Sequence, residues 1–319
     1  MKKSRWLNYT GYLIFRIFQL LIKALPVSVT FLLAKFVGRL AFTVLTTQKK
    51  IIRMNLEIAF GESKSSSEID QIIRHNFIHM AQIFFEILKL SGEDSEKFKS
   101  LIQYSDGSLE TLRSLSQRAK GIIVITAHYG NWEVLARSIA EQGVKEHIVY
   151  RPLNNPYITG WINRSRERYP SMLIPREKVL TDSARLLKNN EAIILAIDQN
   201  QAEGGIFVPF FSKLAATARG PAVLARRFKA PVLAAYARRC GNNKHIIHFK
   251  EINIIHSPSL KDFVKLNVES FNSFVEEIIR EEPSQWLWAH PRWKTRPQAE
   301  EKSLLNKEIP EIYQGQKQI

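Results

Sequence analysis

Cysteine is almost absent from this chain: Cys240 is the single cysteine among 319 residues. An internal disulfide is therefore excluded, which fits a reducing compartment. Cys240 follows a predicted strand and stands among Arg238, Arg239 and Gly241, so we interpret it as a structural thiol rather than a nucleophile. The sequence also lacks a Gly-x-Ser-x-Gly elbow and a His-Glu-x-x-His zinc helix. The sequence therefore carries no motif of a serine hydrolase or of a zincin metalloprotease.

Acidic residues are absent from the first 56 positions, where ten basic residues are interleaved with large apolar ones. Apolar residues flanked by cations are typical of a helix at an anionic bilayer surface. Pro26 predicts two amphipathic helices, over 11–25 and 28–45. Cations interrupt each apolar stretch before it reaches the roughly 18 residues of a spanning helix. A helix lying on the membrane and a short or tilted span both remain open.

The formal net charge of +16 requires an acidic partner: nucleic acid, an anionic membrane or a phosphorylated substrate. No nucleic-acid-binding motif is recognisable, and the N-terminal cations are threaded through aliphatic residues, so we favour the membrane over nucleic acid. Asn8, Thr10 and Arg16 break the leading apolar stretch, which argues against a cleaved signal peptide. We therefore expect a membrane anchor at 1–53, a catalytic domain at 54–297 and a flexible polar tail at 298–319.

Helical and extended patterns alternate through the middle of the chain. A helix carrying Phe77, Met80, Ile83, Phe84 and Ile87 on one apolar face precedes this region. Strands are predicted at 121–127, 147–150, 192–197, 231–237 and 245–255. Helices are predicted at 132–142, 156–168, 179–189, 217–228 and 260–282. This order predicts an α/β fold, with a mixed, mainly parallel central sheet flanked by helices and an N-terminal helical membrane segment.

The hexapeptide His128-Tyr-Gly-Asn-Trp-Glu133 lies where the first of these strands turns into a helix. The C-terminal edge of an α/β sheet commonly carries the chemistry. If Asn131 caps the helix, Glu133 in its first turn can reach one imidazole nitrogen of His128 and leave the other free to take a proton. On the hexapeptide alone, a hydrogen-bonded packing histidine is an equally good interpretation.

Other polar residues are candidates for substrate binding. Asp198 directly follows the strand predicted at 192–197 and should lie near His128, although a loop cap explains it equally well. Arginines offer guanidinium forks for phosphate, although each is also explained as a surface charge: Arg151, Arg164, Arg166, Arg168 and Arg176. The apolar run 207–211 is either core or one wall of an acyl groove. Asn131, Arg151, Arg164, Arg166 and Asp198 form our substrate-binding set.

The hexapeptide matches the HX4E/D motif of glycerolipid acyltransferases, and the chain from about 5 to 297 resembles the lipid A biosynthesis (late lauroyl/myristoyl) acyltransferases. The other segments that carry this resemblance are 55–56, 59–61, 150–156, 198–200, 207–211, 216–217 and the run Trp-Leu-Trp-Ala-His-Pro-Arg-Trp-Lys-Thr-Arg-Pro at 286–297. The resemblance implies a glycerolipid acyltransferase-like fold and catalytic roles for His128 and Glu133. It also implies that Arg166 holds substrate, with Arg164 and Arg168 as alternatives.

The resemblance further implies an enzyme of the bacterial inner membrane, with its catalytic domain on the cytoplasmic side. It would move a fatty acyl chain from acyl carrier protein or coenzyme A to a hydroxyl of a lipid A precursor, without metal or cofactor. We expect His128 to deprotonate the acceptor, Glu133 to orient the imidazole, and N–H groups near Gly130 or basic side chains around Arg166 to hold the oxyanion. Three alternatives remain: another glycolipid or lysophospholipid acceptor, a thioesterase or lysophospholipase, and a non-enzymatic lipid-binding protein.

Overall fold

The computed structural model describes residues 2–61, 63–151, 153–166, 169–241 and 243–297. Over these ranges the α-helices are α1 Lys2–Ala24, α2 Val27–Val44, α3 Thr46–Phe60, α4 Ser66–Leu90, α5 Ser95–Lys99, α6 Ser108–Gln117, α7 Trp132–Ala140, α8 Pro156–Arg166, α9 Val179–Lys188, α10 Gly220–Phe228 and α11 Leu260–Glu281. The strands are β1 Ile102–Tyr104, β2 Ile122–Thr126, β3 Glu146–Tyr150, β4 Ser171–Pro175, β5 Ala192–Ala196, β6 Ile206–Phe210, β7 Lys213–Thr217, β8 Val232–Cys240 and β9 Lys244–Ile252. The predicted tail at 298–319 and Arg168 lie outside the described residues.

Seven strands form one sheet in the order β1-β9-β8-β2-β5-β3-β4. Neighbouring strands are parallel except β8 and β9, which confirms the predicted mainly parallel α/β fold. The central strand β2 is buried throughout: Ile123 and Ile125 enter the core on one face, and Ile122 and Val124 enter the core on the other. Burying each such side chain contributes roughly 1.5–3 kcal/mol. The position of the β2 carboxyl end is therefore strongly determined.

A hairpin of β6 and β7 forms a separate two-stranded sheet. Its residue Phe210 is fully buried, with its ring centroid 5.7 Å from that of Trp286. The buried guanidinium of Arg292 donates to the Ala216 carbonyl at 2.7 Å and to the Thr217 hydroxyl at 2.6 Å, which ties the hairpin to the C-terminal segment. Of the two interpretations of the run at 207–211, core packing describes Phe210.

The first two helices meet at Pro26, as predicted, although α1 begins earlier than position 11. Helix α2 packs closely on α4: a Cβ added to Gly38 would lie 2.5 Å from the Cα of Ile78. Within the described ranges, α2 is the one helix long and apolar enough to cross a membrane by length and composition. The boundary that we predicted after residue 53 falls inside α3.

Candidate active site

Two neighbouring strands bring His128 and Asp198 together. Strands β2 and β5 run parallel with Thr126 opposite Ala196, so the residues two positions beyond each strand end lie side by side. His128 Nδ1 is 2.9 Å from Asp198 Oδ1, and the backbone N–H of His128 donates to Asp198 Oδ2 at 2.9 Å. The prediction that Asp198 lies beside His128 at the sheet edge is confirmed.

The carboxylate of Asp198 is held in the ionised form. It is 2% exposed, and the indole Nε1 of Trp286 donates to its Oδ2 at 2.7 Å. Burial by itself would raise the pKa of Asp198, but the His128 imidazole and the donated hydrogen bonds outweigh burial and lower this pKa to about 2. An ionised carboxylate accepts the Nδ1–H of His128 and so selects the tautomer in which Nε2 is the basic nitrogen.

His128 itself combines burial with access. Burial opposes its charged form, but the carboxylate of Asp198, and to a smaller extent that of Glu133, keep the pKa of His128 above its ordinary value. The side chain remains 25% exposed. Among the described residues no hydrogen bond involves Nε2, so this nitrogen is available to a substrate hydroxyl.

The predicted contact between Glu133 and the imidazole is wrong, because Asp198 occupies Nδ1. Glu133 is the second residue of α7, and its carboxylate instead forms a salt bridge with Arg166 at the end of α8. Arg166 is largely buried, with 10% of its side chain exposed, whereas that of Glu133 is 31% exposed. The β2–β5 register determines which residue pairs with the imidazole, because it brings Asp198 next to His128 although the two residues are 70 positions apart.

Asn131 caps α7, as predicted. Its Oδ1 accepts hydrogen bonds from the backbone N–H groups of Glu133 and Val134, each at 3.1 Å, and its Nδ2 donates to Glu86 at 2.7 Å. The residue is 1% exposed. Both ends of its amide therefore have partners within the protein, and its assignment to substrate binding stays a prediction. The assignment of Asp198 to substrate binding also stays a prediction; its carboxylate pairs with His128 and Trp286.

The remaining arginines lie apart from this pair. Arg151 is exposed after β3, and Arg164 is exposed on α8, where its Nη2 donates to the Tyr12 hydroxyl at 3.5 Å. Their roles in substrate binding stay predictions. Arg166 is the arginine that reaches a residue of the hexapeptide, through Glu133.

Two backbone N–H groups near Gly130 already donate hydrogen bonds to carbonyl groups of the protein. That of Gly130 donates to the Gln285 carbonyl at 3.0 Å, and that of Asn131 donates to the Ala237 carbonyl at 3.0 Å. Neither of these two groups is free to stabilise an oxyanion, and the expectation that other N–H groups near Gly130 or basic side chains around Arg166 do so stays a prediction. The hydrogen bonds instead fasten the turn to β8 and to the C-terminal segment.

Gly130 is required by the geometry of this turn. Its φ is +56°, and an added Cβ would lie 1.7 Å from the Ala237 carbonyl oxygen.

Gly143 has φ +79° with nothing within 4 Å of an added Cβ. Gly143→Ala should therefore cost only the left-handed backbone penalty, about 1–2 kcal/mol, whereas Gly130→Ala adds a collision. We expect a clearly larger drop in melting temperature for Gly130→Ala, and equal drops would contradict this account.

Our sequence reasoning missed the residues that support the hexapeptide from α4. His79 and Glu86 are 4% and 3% exposed, although their helix was interpreted only through its apolar stripe. A signal was present, because Asn76, His79, Ile83 and Glu86 recur at helical spacing and so share one face. Within the stripe, Phe77 and Ile83 are buried, but Phe84 is 46% exposed.

Comparison with known proteins agrees with these observations. The family model described as "Bacterial lipid A biosynthesis acyltransferase" matches residues 1–295. The chain is 28% identical over 285 residues to the lipid A biosynthesis lauroyltransferase of Escherichia coli (strain K12), which covers 87% of this chain and 89% of that protein. It is 27% identical over 284 residues to the palmitoleoyltransferase of the same strain, covering 86% of this chain and 88% of that protein. The match extends over the whole α/β domain and both N-terminal helices, and the chain therefore belongs to the bacterial lipid A biosynthesis acyltransferases.

Proposed function

We propose that this acyltransferase moves a fatty acyl chain from an acyl carrier protein or coenzyme A thioester to a hydroxyl of a lipid A precursor, with His128 as general base. The observation that carries the proposal is the geometry of His128: its Nδ1 is fixed by an ionised carboxylate at 2.9 Å, its side chain is 25% exposed, and Nε2 has no hydrogen bond among the described residues. Relatives named as lauroyl-, palmitoleoyl- and myristoyltransferases of lipid A biosynthesis support the donor and acceptor classes.

The proposed reaction is a direct transfer. His128 Nε2 takes the proton of the acceptor hydroxyl while its oxygen bonds to the thioester carbonyl carbon, and Asp198 stabilises the resulting imidazolium. The C–S bond then breaks, and the leaving thiolate takes the proton from the imidazolium. The products are an ester and a free thiol, so protons and electrons balance without a metal or cofactor.

Glu133 and Arg166 complete the proposed site. The guanidinium of Arg166 supplies positive charge for the oxyanion that develops on the thioester carbonyl, and its salt bridge to Glu133 fixes its direction. The charge of Glu133 also favours the imidazolium form of His128. This gives Glu133 a role in the reaction that differs from the direct orienting contact predicted from sequence.

A transfer assay tests the proposed function. The purified protein is incubated with a lauroyl thioester of acyl carrier protein or of coenzyme A, with or without a lipid A precursor. The masses of the products are then measured by mass spectrometry. We expect the acceptor mass to increase by one acyl unit. Free fatty acid formed equally well without acceptor would identify a thioesterase, and acylation of a different glycolipid or a lysophospholipid would reassign the acceptor. Absence of any turnover would leave the lipid-binding alternative and overturn the proposal.

The N-terminal helices are proposed to dock the enzyme on the inner face of the bacterial inner membrane. Large apolar side chains on α1 and α2 face solvent, among them Trp6, Leu7, Ile14, Ile17, Leu21, Leu32, Phe36 and Leu40. Basic residues on the same helices favour anionic lipid. Deleting residues 1–53 would also remove buried core residues of α3, so substitutions at exposed positions are the better test.

The triple variant Ile14→Glu, Ile17→Glu, Leu21→Glu should release the protein from anionic liposomes in a sedimentation assay. Each change replaces an exposed apolar side chain, at least 60% exposed, with a carboxylate that anionic lipid repels. The matched control is Leu180→Glu, Ile255→Glu, Leu260→Glu, at exposed apolar positions outside these helices. Equal sedimentation of the two variants would contradict docking through α1.

A further inference from the structure

A pair of buried opposite charges lies beneath the turn that carries His128 and Glu133. Glu86 of α4 and Arg239 of β8 have side chains 3% and 8% exposed. Arg239 Nη1 and Nη2 donate to the two carboxylate oxygens of Glu86, each at 2.5 Å. A pair this deep is expensive to bury unless further hydrogen bonds satisfy it. The other partners of Glu86 and Arg239 therefore indicate what the pair does.

One partner of the pair is the cap of α7. Asn131 Nδ2 donates to Glu86 Oε2 at 2.7 Å, which turns Asn131 Oδ1 toward the backbone N–H groups of Glu133 and Val134. Glu86 thereby decides which way the amide of Asn131 faces. The orientation of the first turn of α7, and with it that of Glu133, depends on a carboxylate of α4 that lies 45 positions before Asn131.

A second partner, His79, holds the other side of the same turn, and a third, the buried His245 of β9, has its Nε2 3.2 Å from Glu86 Oε1. Arg239 Nε donates to His79 Nδ1 at 3.3 Å, so His79 Nε2 carries the proton and donates to the Gly130 carbonyl at 3.3 Å. Burial, and then the charge of Arg239, lower the pKa of His79 to about 3, which keeps the ring neutral. The arrangement needs this one tautomer, because an arginine N–H can only donate.

We propose that Glu86, Arg239 and His79 are positioning residues that hold the turn 128–133 in its reactive geometry, through the Asn131 amide on one side and the Gly130 carbonyl on the other. The proposal rests on the proposed function for its catalytic consequence. None of the three side chains contacts the imidazole of His128 by hydrogen bond among the described residues. They act by fixing the backbone that carries it, where a displacement of about 1 Å lowers a rate roughly 100-fold.

Single substitutions would leave a buried charge without its partner and destabilise the fold, so the test uses neutral pairs of similar size. The two variants are Arg239→Met with Glu86→Gln and Arg239→Met with Glu86→Leu. Glutamine keeps an oxygen that can accept from Asn131 Nδ2 or from His245 Nε2, whereas leucine removes both acceptors. We expect kcat for acyl transfer to be about 100-fold lower with leucine than with glutamine, with similar KM. Equal kcat values would overturn the proposal.

Asn131→Ser provides a second variant if either pair fails to fold. Serine keeps a helix N-cap but loses the amide that Glu86 holds. We expect kcat to fall with little change in melting temperature or KM, and a wild-type kcat would overturn the proposal.

Hydrogen exchange at the backbone amides of Glu133 and Val134 gives a readout that needs no turnover. These amides should exchange faster in the Glu86→Leu pair than in the Glu86→Gln pair, and equal exchange would overturn the proposed hold on the turn. If the wild-type protein transfers no acyl group, the proposed function fails while the exchange comparison still decides the positioning role.

Discussion

His128→Ala is expected to lower kcat for acyl transfer by about 100- to 10,000-fold. The imidazole Nε2 is the proposed acceptor of the substrate proton, and alanine leaves no base at this position. The side chain is 25% exposed and lies at the end of a strand, so its removal should leave the fold intact. Initial rates with a saturating acyl thioester and a lipid A precursor measure the loss, with a melting curve for each protein.

His75→Ala is the matched control for His128→Ala, because His75 is an exposed histidine on α4. We expect it to retain wild-type activity and liposome binding. His128→Ala should bind liposomes like the wild type, since docking is assigned to α1 and α2. A wild-type transfer rate in His128→Ala would remove the general base from the proposal and favour a lipid-binding role.

Asp198→Asn should reduce kcat/KM by up to about 10,000-fold, the loss observed when the aspartate of a hydrolase triad is replaced by asparagine. The neutral amide no longer favours the imidazolium, and it is able to present an N–H toward His128 or Trp286, where the carboxylate now accepts from both. The wrong imidazole tautomer would then place a proton on Nε2. Asp106→Asn, at an exposed position, is the control.

The pH dependence gives a second readout for Asp198→Asn. Activity needs neutral His128, so it falls as pH drops through the pKa of His128, which Asp198 and Glu133 hold above its ordinary value against the effect of burial. Without the carboxylate of Asp198 this pKa falls, and the acid limb of kcat/KM should move to lower pH. An acid limb at the wild-type position would show that Asp198 does not set the protonation of His128.

Local sequence patterns were sufficient for most of the sheet. The apolar run before His128 predicted β2, and the equivalent run before Asp198 predicted β5; since parallel strands end at one edge, the proximity of the two residues followed. Strand β4 was missed, although all five of its residues pair with β3. Its run Ser-Met-Leu-Ile-Pro is short and lacks alternation, so it gains strand character from pairing rather than from its own pattern.

The hydrogen-bond partner of the His128 imidazole could not be predicted from residues close to it in the sequence. Glu133 is close to His128 in sequence, and this proximity favoured it over Asp198, which lies 70 positions away. Strand register, however, brings Asp198 into hydrogen-bonding distance of His128, and Glu133 instead pairs with Arg166 of α8. The buried pair of Glu86 and Arg239 was hidden for a similar reason: charged residues are interpreted as exposed until a partner far along the chain is known.

The indole that donates to Asp198 has a consequence for biosynthesis. Trp286 follows Asp198 by 88 residues, and the Gln285 and Leu287 main-chain groups that hydrogen-bond to the turn are its neighbours in sequence. A nascent polypeptide on the ribosome therefore cannot complete the hydrogen bonds around His128 and Asp198 until residues 285–287 have been translated. Truncated products that retain α1 and α2 but stop before residue 286 would lack the indole that donates to Asp198.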